Sequence, residues 1–455
     1  MQCFLEQVSK NEKVNISVFS IISLAFCANC EELTFEQCLD LAKENNLKIR
    51  SAEHLVKAAE YDFTSSRALF FPNITATGIA VYSAAKGTFS TPTFNLPVLN
   101  GTGQYTGDFV NVPSLDIDYK FGWLFNGSVK IEQPVYMGGK IRAGYNIAKS
   151  AKELYLQNKR LTEADIIVET ATAYTNLVRA TQMKQVALSY KTLLTELHSD
   201  VQKAFKHGLK PKNDVLKVEV KLNEAELNLR KAENACRLAS MNLCHYIGRP
   251  LNDSITVSST DIVHNQVQVS TDFSARPETQ ILDYKEYIAQ QKVNIARSEY
   301  LPQIGLIGQY GYTDGLKLGG KKVLEDWNYL VGIQVSIPIY DFGHRIGKIR
   351  SAKEQLAAVK AEKDDTNQLL ALSLHQAINN LDEAYLEVEL AQSSVIAADE
   401  NLRSSTKFYQ AGMESLSDNL EAQTLWQQAH ATLIEAQTSL FLRHIEYLRA
   451  TGQLN

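Results

Sequence analysis

The feature that most constrains this chain is that its two halves repeat one another in register. With the chain slid by 204 residues against itself, Pro134 falls on Pro338, Tyr136 on Tyr340 and Gly139 on Gly343. Gly208 then falls on Gly412, Asp214 on Asp418, Ala225 on Ala429 and Gly248 on Gly452, without a gap. Upstream the offset becomes 230: Phe71-Pro72-Asn73-Ile74 meets Leu301-Pro302-Gln303-Ile304, and Arg67 meets Arg297. The first half therefore carries 26 more residues between its two strand candidates. Prolines and glycines carry most of this argument, because they mark where elements stop. Two copies make a duplication, whereas a solenoid needs more.

Each half reads as helix, strand pair, long helix, shorter helix. Asp116 to Gln133 alternates, with Ile117, Tyr119, Phe121, Trp123, Phe125, Val129 and Ile131 on one parity and charged or polar residues on the other. Trp327 to Ile339 does the same, and Ile304, Leu306, Tyr310 and Tyr312 make a third strand. Ile74 to Tyr82 is a fourth and weaker one. A period of two predicts one apolar and one polar face. Strands of about ten residues suit either a tilted membrane crossing or a soluble sheet with a buried face. The connections Ser83–Leu115 and Asp314–Asp326 read as exposed loops, and Gly315 to Lys322, which lacks the Gly-Lys-Ser/Thr of a phosphate loop, falls in the second.

The remainder predicts helix. Ile147 to about His207 has no proline and would run about 90 Å. Lys212–Ile247 follows it, and Lys348–Gln410 and Ser415–Thr451 mirror the pair. An apolar spacing near 3.5 predicts coiled-coil packing against several neighbours. Thr34, with Gln37 at the capping-box position, opens a helix to about Leu69, and Glu278–Tyr300 matches its later part. Residues 250–275 join the halves, with strand character near Val263–Val269.

The N-terminus predicts export. Lys10 and Lys13 precede an apolar run from Val14 to Cys27, too short to span a bilayer, and Ala28-Asn29-Cys30 offers a cleavage site. Leu24-Ala25-Phe26-Cys27 departs from a lipoprotein site at Phe26. No later stretch is apolar enough for a membrane helix, which leaves a soluble protein or a β-barrel. Beyond the signal region lie Cys38, Cys236 and Cys244. The last two are eight apart on one helix, too far for a disulfide. A net charge of −5 argues against a nucleic-acid binder. His207, Cys236, Cys244 and His245 lack metal-ligand spacing, and neither an enzyme site nor a cofactor motif is recognisable.

The segments LFFPNI and YLPQI, then QPVYMGGKIRAGYNIAK and IPIYDFGHRIGKIRSAK, then the turns HGLKPKNDVL and AGMESLSDNL, form an ordered set that occurs twice. This set resembles the TolC-like outer-membrane efflux family over nearly all of the mature chain. The resemblance implies an α+β membrane protein: a homotrimer with a twelve-stranded β-barrel, four strands per protomer, continued by a periplasmic α-helical coiled-coil barrel. It implies signal residues 1–30, a first repeat over 31–249 (strand pair 72–82 and 116–133, hairpin 147–247), an equatorial segment over 250–275, and a second repeat over 276–455 (strand pair 303–313 and 327–339, hairpin 345–452). Pro72, Pro134, Gly139, Pro302, Pro338 and Gly343 would sit at the barrel–tunnel junction.

The resemblance further implies a passive exit duct for efflux or type I secretion, working with a periplasmic adaptor and an inner-membrane pump of the RND or ABC class, with outer-membrane lipid around it. Gly208-Leu209 and Gly412-Met413 would be the docking tips; plain hairpin turns are the alternative. Tyr409, Glu414, Asp418, Glu421 and Asp214 match the family's periplasmic gate, although Asp214 and Asp418 also suit simple helix capping. Glu414 stands where a studied member has an arginine, so an acidic cluster replaces a salt-bridge lock. Heavy-metal efflux by the same duct and a soluble periplasmic coiled-coil adaptor are the other readings.

Overall fold

The structure is a computed structural model that describes residues 32–120, 122–253, 255–258, 270–315, 317–318, 321–322 and 327–454. The signal region and the strand expected near Val263–Val269 lie outside the described residues. In chain order the elements begin β1 (Glu32–Leu33), α1 (Phe35–Asn45), α2 (Leu47–Ala68), β2 (Asn73–Tyr82), β3 (Lys86–Ser90), β4 (Phe94–Leu99), β5 (Tyr105–Val112), β6 (Asp116–Lys120) and β7 (Trp123–Met137). There follow α3 (Lys140–Lys206), α4 (Lys212–Ile247), β8 (Thr256–Val257), α5 (Pro277–Ser298), β9 (Gln303–Asp314), β10 (Lys317–Leu318), β11 (Lys321–Lys322), β12 (Trp327–Ser336), α6 (His344–Gln410) and α7 (Leu416–Thr451). α3 and α6 have 67 residues each, α4 and α7 have 36 each, and each pair starts 204 residues apart.

Contacts divide the chain into two compact units. The helical unit takes residues up to Val56, Tyr155–Ile281 and Asp364 onward. Its largest core gathers Cys38, Ile166, Tyr174, Val178, Leu243 and Phe441, with Phe35 edge-on to Phe441 at 5.1 Å. Cys38 and Cys244 are buried thiols without a disulfide. The helix expected from Thr34 to Leu69 is in fact two. Thr34 and Gln37 form the capping box of α1, but Asn46 then leaves helical geometry. Its amide donates to the Tyr246 carbonyl at 3.1 Å, and its Oδ1 accepts from the Lys48 N–H at 2.9 Å, so it restarts the chain as α2.

The second unit, Lys57–Leu154 with Leu282–Lys363, holds an antiparallel sheet in the order β12-β9-β7-β2. The run Asp116–Gln133, expected as one strand, is divided between β6, which ends at Lys120, and β7, which begins at Trp123: β7 stays in this sheet while β6 pairs with β3 and β10 in another. Gly122 has no side chain to pack in either sheet, and the place a Cβ would take is open. β7 passes through Pro134 only by a bulge between Pro134 and Tyr136, since proline offers no N–H to the ladder. β12 stops at Ser336 rather than Ile339, two residues before Pro338. The segment Ser83–Leu115, expected as a loop, folds into β3 and a separate β4–β5 hairpin. Its Thr, Phe and Val content supports strand pairing despite the glycines.

Candidate functional site

The registers of the four-stranded sheet put every apolar parity on the same side. Ala76 faces Val129, Val129 faces Tyr310 and Tyr310 faces Tyr329, while Ile131 aligns with Gly308 and Val331. The opposite side carries Thr77, Ser128, Lys130, Glu132, Thr313 and Gln334. There Thr77 and Ser128 hydroxyls lie 3.1 Å apart, the Asn126 amide donates to Thr313 at 3.0 Å, and Lys130 pairs with Glu132. The apolar side is uncovered: Val331 is 82% exposed, Ile333 70% and Ile74 65%. In water each such side chain forgoes about 1.5–3 kcal/mol of burial, so a soluble sheet would not present this face. Aromatic rings gather at the loop end, with Tyr82 beside Trp123 at 5.5 Å and Tyr312 beside Trp327 at 5.3 Å, as interfacial girdles do. Both edge strands, β2 and β12, are ten residues long and, among the described residues, pair on one side only.

At the lower end of the sheet, Pro72 and Pro302 separate α2 from β2 and α5 from β9. Gly139 (φ 86°) and Gly343 (φ 91°) stand directly before α3 and α6. In the second half Arg345, buried, adds a clamp. It donates to Asp341 at 2.6 Å and to the Glu299 and Pro338 carbonyls at 3.3 Å, over the Tyr300 ring. These bonds hold the Asp341 carboxyl below the usual carboxylate range.

The helical hairpins turn at Gly208 (φ 73°) and Gly412 (φ 76°), a left-handed backbone that glycine adopts without penalty. Leu209 and Met413 next to them are 76% and 73% exposed. Below the turns, Tyr190, Leu194 and Val201 of α3, Val218 of α4 and Leu416 and Leu420 of α7 make one small core, against which Tyr409 packs. Lys210 of the first turn lies 4.8 Å over the Tyr409 ring. Burial, with the Asp214 and Asp200 carboxylates adding, pushes the Tyr409 phenol above its ordinary value. Tyr409 thus ties the second hairpin to the first.

Glu414 and Asp418 take separate partners. Glu414 accepts from the Ser405 hydroxyl at 2.8 Å. Ser405 accepts from the Asn419 amide at 3.2 Å, and Asn419 accepts from the Gln423 amide at 3.0 Å. Ser405, Asn419 and Gln423 are all buried, so a directed hydrogen-bond chain runs from the core to a tip carboxylate. Asp418 is the third residue of α7 and closes a capping box with Ser415, whereas Asp214 in the first turn of α4 follows Pro211, which makes no side-chain cap. Glu421 lines a groove of about 450 Å³ with Lys217, Lys221, Val220 and Leu420. Among the described residues no three His, Cys, Asp or Glu side chains group as a metal site. Sequence reading missed Ser405, Asn419 and Gln423, whose signal is two polar residues four apart in phase with Leu416 and Leu420.

The sequence model of the outer membrane efflux protein family matches residues 38–249 and 285–453. Outer membrane protein TolC of Escherichia coli is 19% identical over 344 residues, covering 72% of this chain and 70% of that protein. The proteases secretion protein PrtF of Dickeya chrysanthemi is 21% identical over 428 residues, covering 91% and 87%. The outer membrane channel CmeC of Campylobacter jejuni shares the fold at a TM-score of 0.76 with 19% identity, covering 92% of this chain and 85% of that one.

Proposed function

The chain belongs to the outer membrane efflux protein family, and from that premise we propose that it is a passive exit duct, built as a homotrimer, that carries substrate from a periplasmic adaptor and an inner-membrane RND or ABC pump across the outer membrane. The observation that carries this reading is the uncovered apolar face on a sheet with two free edges. Unpaired strand edges cannot lie in lipid, so the sheet must close on other copies. The strands alternate in direction, so β12 of one copy meets β2 of the next antiparallel; three copies give twelve strands. A ten-residue strand is about 33 Å long and, tilted, spans an apolar band of about 25 Å. The face bearing Lys130, Glu132 and Gln334 then lines a watery lumen.

The domain reading follows: a signal over 1–30, two repeats over 31–249 and 276–455, and a joining segment between them. Leu209 and Met413 at the tips, with the groove of Val220 and Leu420 beside Lys217, Lys221 and Glu421, form the adaptor-docking surface. The Lys210–Tyr409 clasp and the Glu414–Ser405 chain hold the gate within each protomer, in place of a salt-bridge lock. Efflux and protein secretion use the same duct, and the name of PrtF supports secretion as one of its uses. The test is fractionation, detergent extraction and planar-bilayer recording. The expected result is an outer-membrane, heat-modifiable trimer that forms pores. Recovery as a soluble periplasmic monomer overturns the proposal and favours a coiled-coil adaptor.

A further inference from the structure

The second half places a phenylalanine where the first half tolerates only glycine. Gly138 (φ 61°) and Gly139 precede α3; Phe342 (φ 53°) and Gly343 hold the corresponding places before α6. At Gly138 a side chain has no room, because a Cβ would lie 2.5 Å from the Ser298 carbonyl oxygen and 2.9 Å from the Leu301 Cβ. Phe342 is the only non-glycine residue with a positive φ among the described residues. It is also 90% exposed, beside Ile339 at 93% and Tyr340 at 75%, with the Tyr340 ring edge-on at 4.8 Å. A bulky residue in this backbone region is uncommon, and its own chain gives this one little contact in return.

The contact between β7 and β9 is a template for what lies beyond the free edge of β12. α2 and α5 end 230 residues apart, as β2 and β9 begin; α3 and α6 begin 204 apart. Within the chain Glu132 faces Ile307, Ile131 faces Gly308 and Val129 faces Tyr310. Carried over by those two offsets, the seam with another copy sets Ser336 opposite Thr77, Val335 opposite Gly78 and Ile333 opposite Ala80. Every pair keeps its apolar members on the shared apolar side. Val335 and Ile333 thereby meet the small residues Gly78 and Ala80, a complementary cross-strand packing that the offsets alone do not guarantee, while Val331 meets Tyr82. The counterparts of Ser298 and Leu301 are Ala68 and Phe71.

The geometry points to Phe342 as a wedge at the seam between two copies of this chain, its ring seated against Ala68 and Phe71 of the next copy. The inference rests on the trimeric reading above and deepens it by fixing the register of the seam. It also says where the near-sixfold symmetry of the repeats is broken. Inside one chain the strand–helix junction closes on a glycine; between chains the same junction must stand further apart to admit a phenyl ring.

The test uses paired cysteines in the full-length protein extracted from the outer membrane. Ser336→Cys with Thr77→Cys reports the register, and Phe342→Cys with Phe71→Cys reports the wedge; Ser336→Cys with Thr75→Cys is the displaced control. The template sets the two Cβ positions at the wedge 2.9 Å apart, and the wider junction between chains moves them toward the disulfide Cβ–Cβ range of about 3.5–4.5 Å. Expected are covalent dimers and trimers on boiled, non-reducing gels for the first two pairs and none for the control. Phe342→Gly is expected to lower the temperature at which the trimer dissociates, although glycine relieves the backbone locally. A trimer that crosslinks through the displaced pair, or fails to crosslink at 342 and 71, overturns the wedge and leaves the trimer standing. An unchanged dissociation temperature in Phe342→Gly overturns it too, and assigns the ring to the lipid interface. Absence of any trimer in the parent protein instead removes the reading on which the inference rests.

Discussion

Replacing Ser405 by alanine deletes one hydroxyl from the last turns of α6 and interrupts the hydrogen-bond chain at its middle. Two losses follow. The bond from Ser405 to the Glu414 carboxylate has a charged acceptor and contributes about 1.5–3 kcal/mol. The Asn419 amide, 1% exposed, then loses its acceptor and is left buried without one, a penalty of about 1–3 kcal/mol. Alanine returns about 0.5 kcal/mol through its better helix propensity. The freed Glu414 carboxylate, only half-buried, regains water and limits the total. The net expectation is a local destabilisation of about 3 kcal/mol, or roughly two powers of ten in how often the second tip opens. Hydrogen exchange of amides between 405 and 419 should accelerate by that factor, while the core around Tyr174 and Phe441 exchanges as before. If the tips gate the channel, bilayer recordings should show more frequent opening. Ser404→Ala is the control, since Ser404 bonds only at 3.3 Å to Glu400 on the neighbouring face. Unchanged exchange at the tip, or an equal effect from Ser404→Ala, would refute the chain as a structural link.

Ile333→Arg places a charge on the apolar face of β12 and, on the trimeric reading proposed above, should cost the barrel about 2–4 kcal/mol, read as a loss of trimer yield on folding into lipid vesicles. Gln334→Arg, on the other face, should fold normally. In the helical unit, burial raises the Glu278 carboxyl, but its bonds to Arg276 and to backbone outweigh that and leave it below the ordinary glutamate value. A depressed carboxyl stabilises the fold above its unfolded value of about 4.3 and loses that contribution as pH falls through the lower folded value. The thermal midpoint should therefore fall more steeply below about pH 4 in the parent than in Glu278→Gln.

Much of the architecture is legible along the chain. Prolines at 72, 302 and 338 and glycines at 208, 248, 412 and 452 mark element ends, and Pro134 marks the bulge in β7, because their backbone limits hold in any tertiary context. The period-two runs announce a one-sided apolar sheet for the same reason. Less legible were features that depend on a distant partner. Asn46 interrupts a helix that propensity would continue, because Tyr246, 200 residues away, offers it a carbonyl. Ser83–Leu115 reads as loop by composition, yet β3 finds β6 and β4 finds β5.

The acids at the second tip show the division most clearly. Sequence by itself determined that Glu414, Asp418 and Glu421 fall near one turn, with a glutamate at the position where the family resemblance leads one to expect an arginine. It implied a cluster of like charges. Tertiary structure decided that each goes elsewhere: Glu414 to Ser405, Asp418 to the cap at Ser415, Glu421 to a groove shared with Lys217 and Lys221. Periodicity reports which face a side chain occupies. It does not report which other face is brought against it, and a carboxylate takes its role from the donor that arrives there.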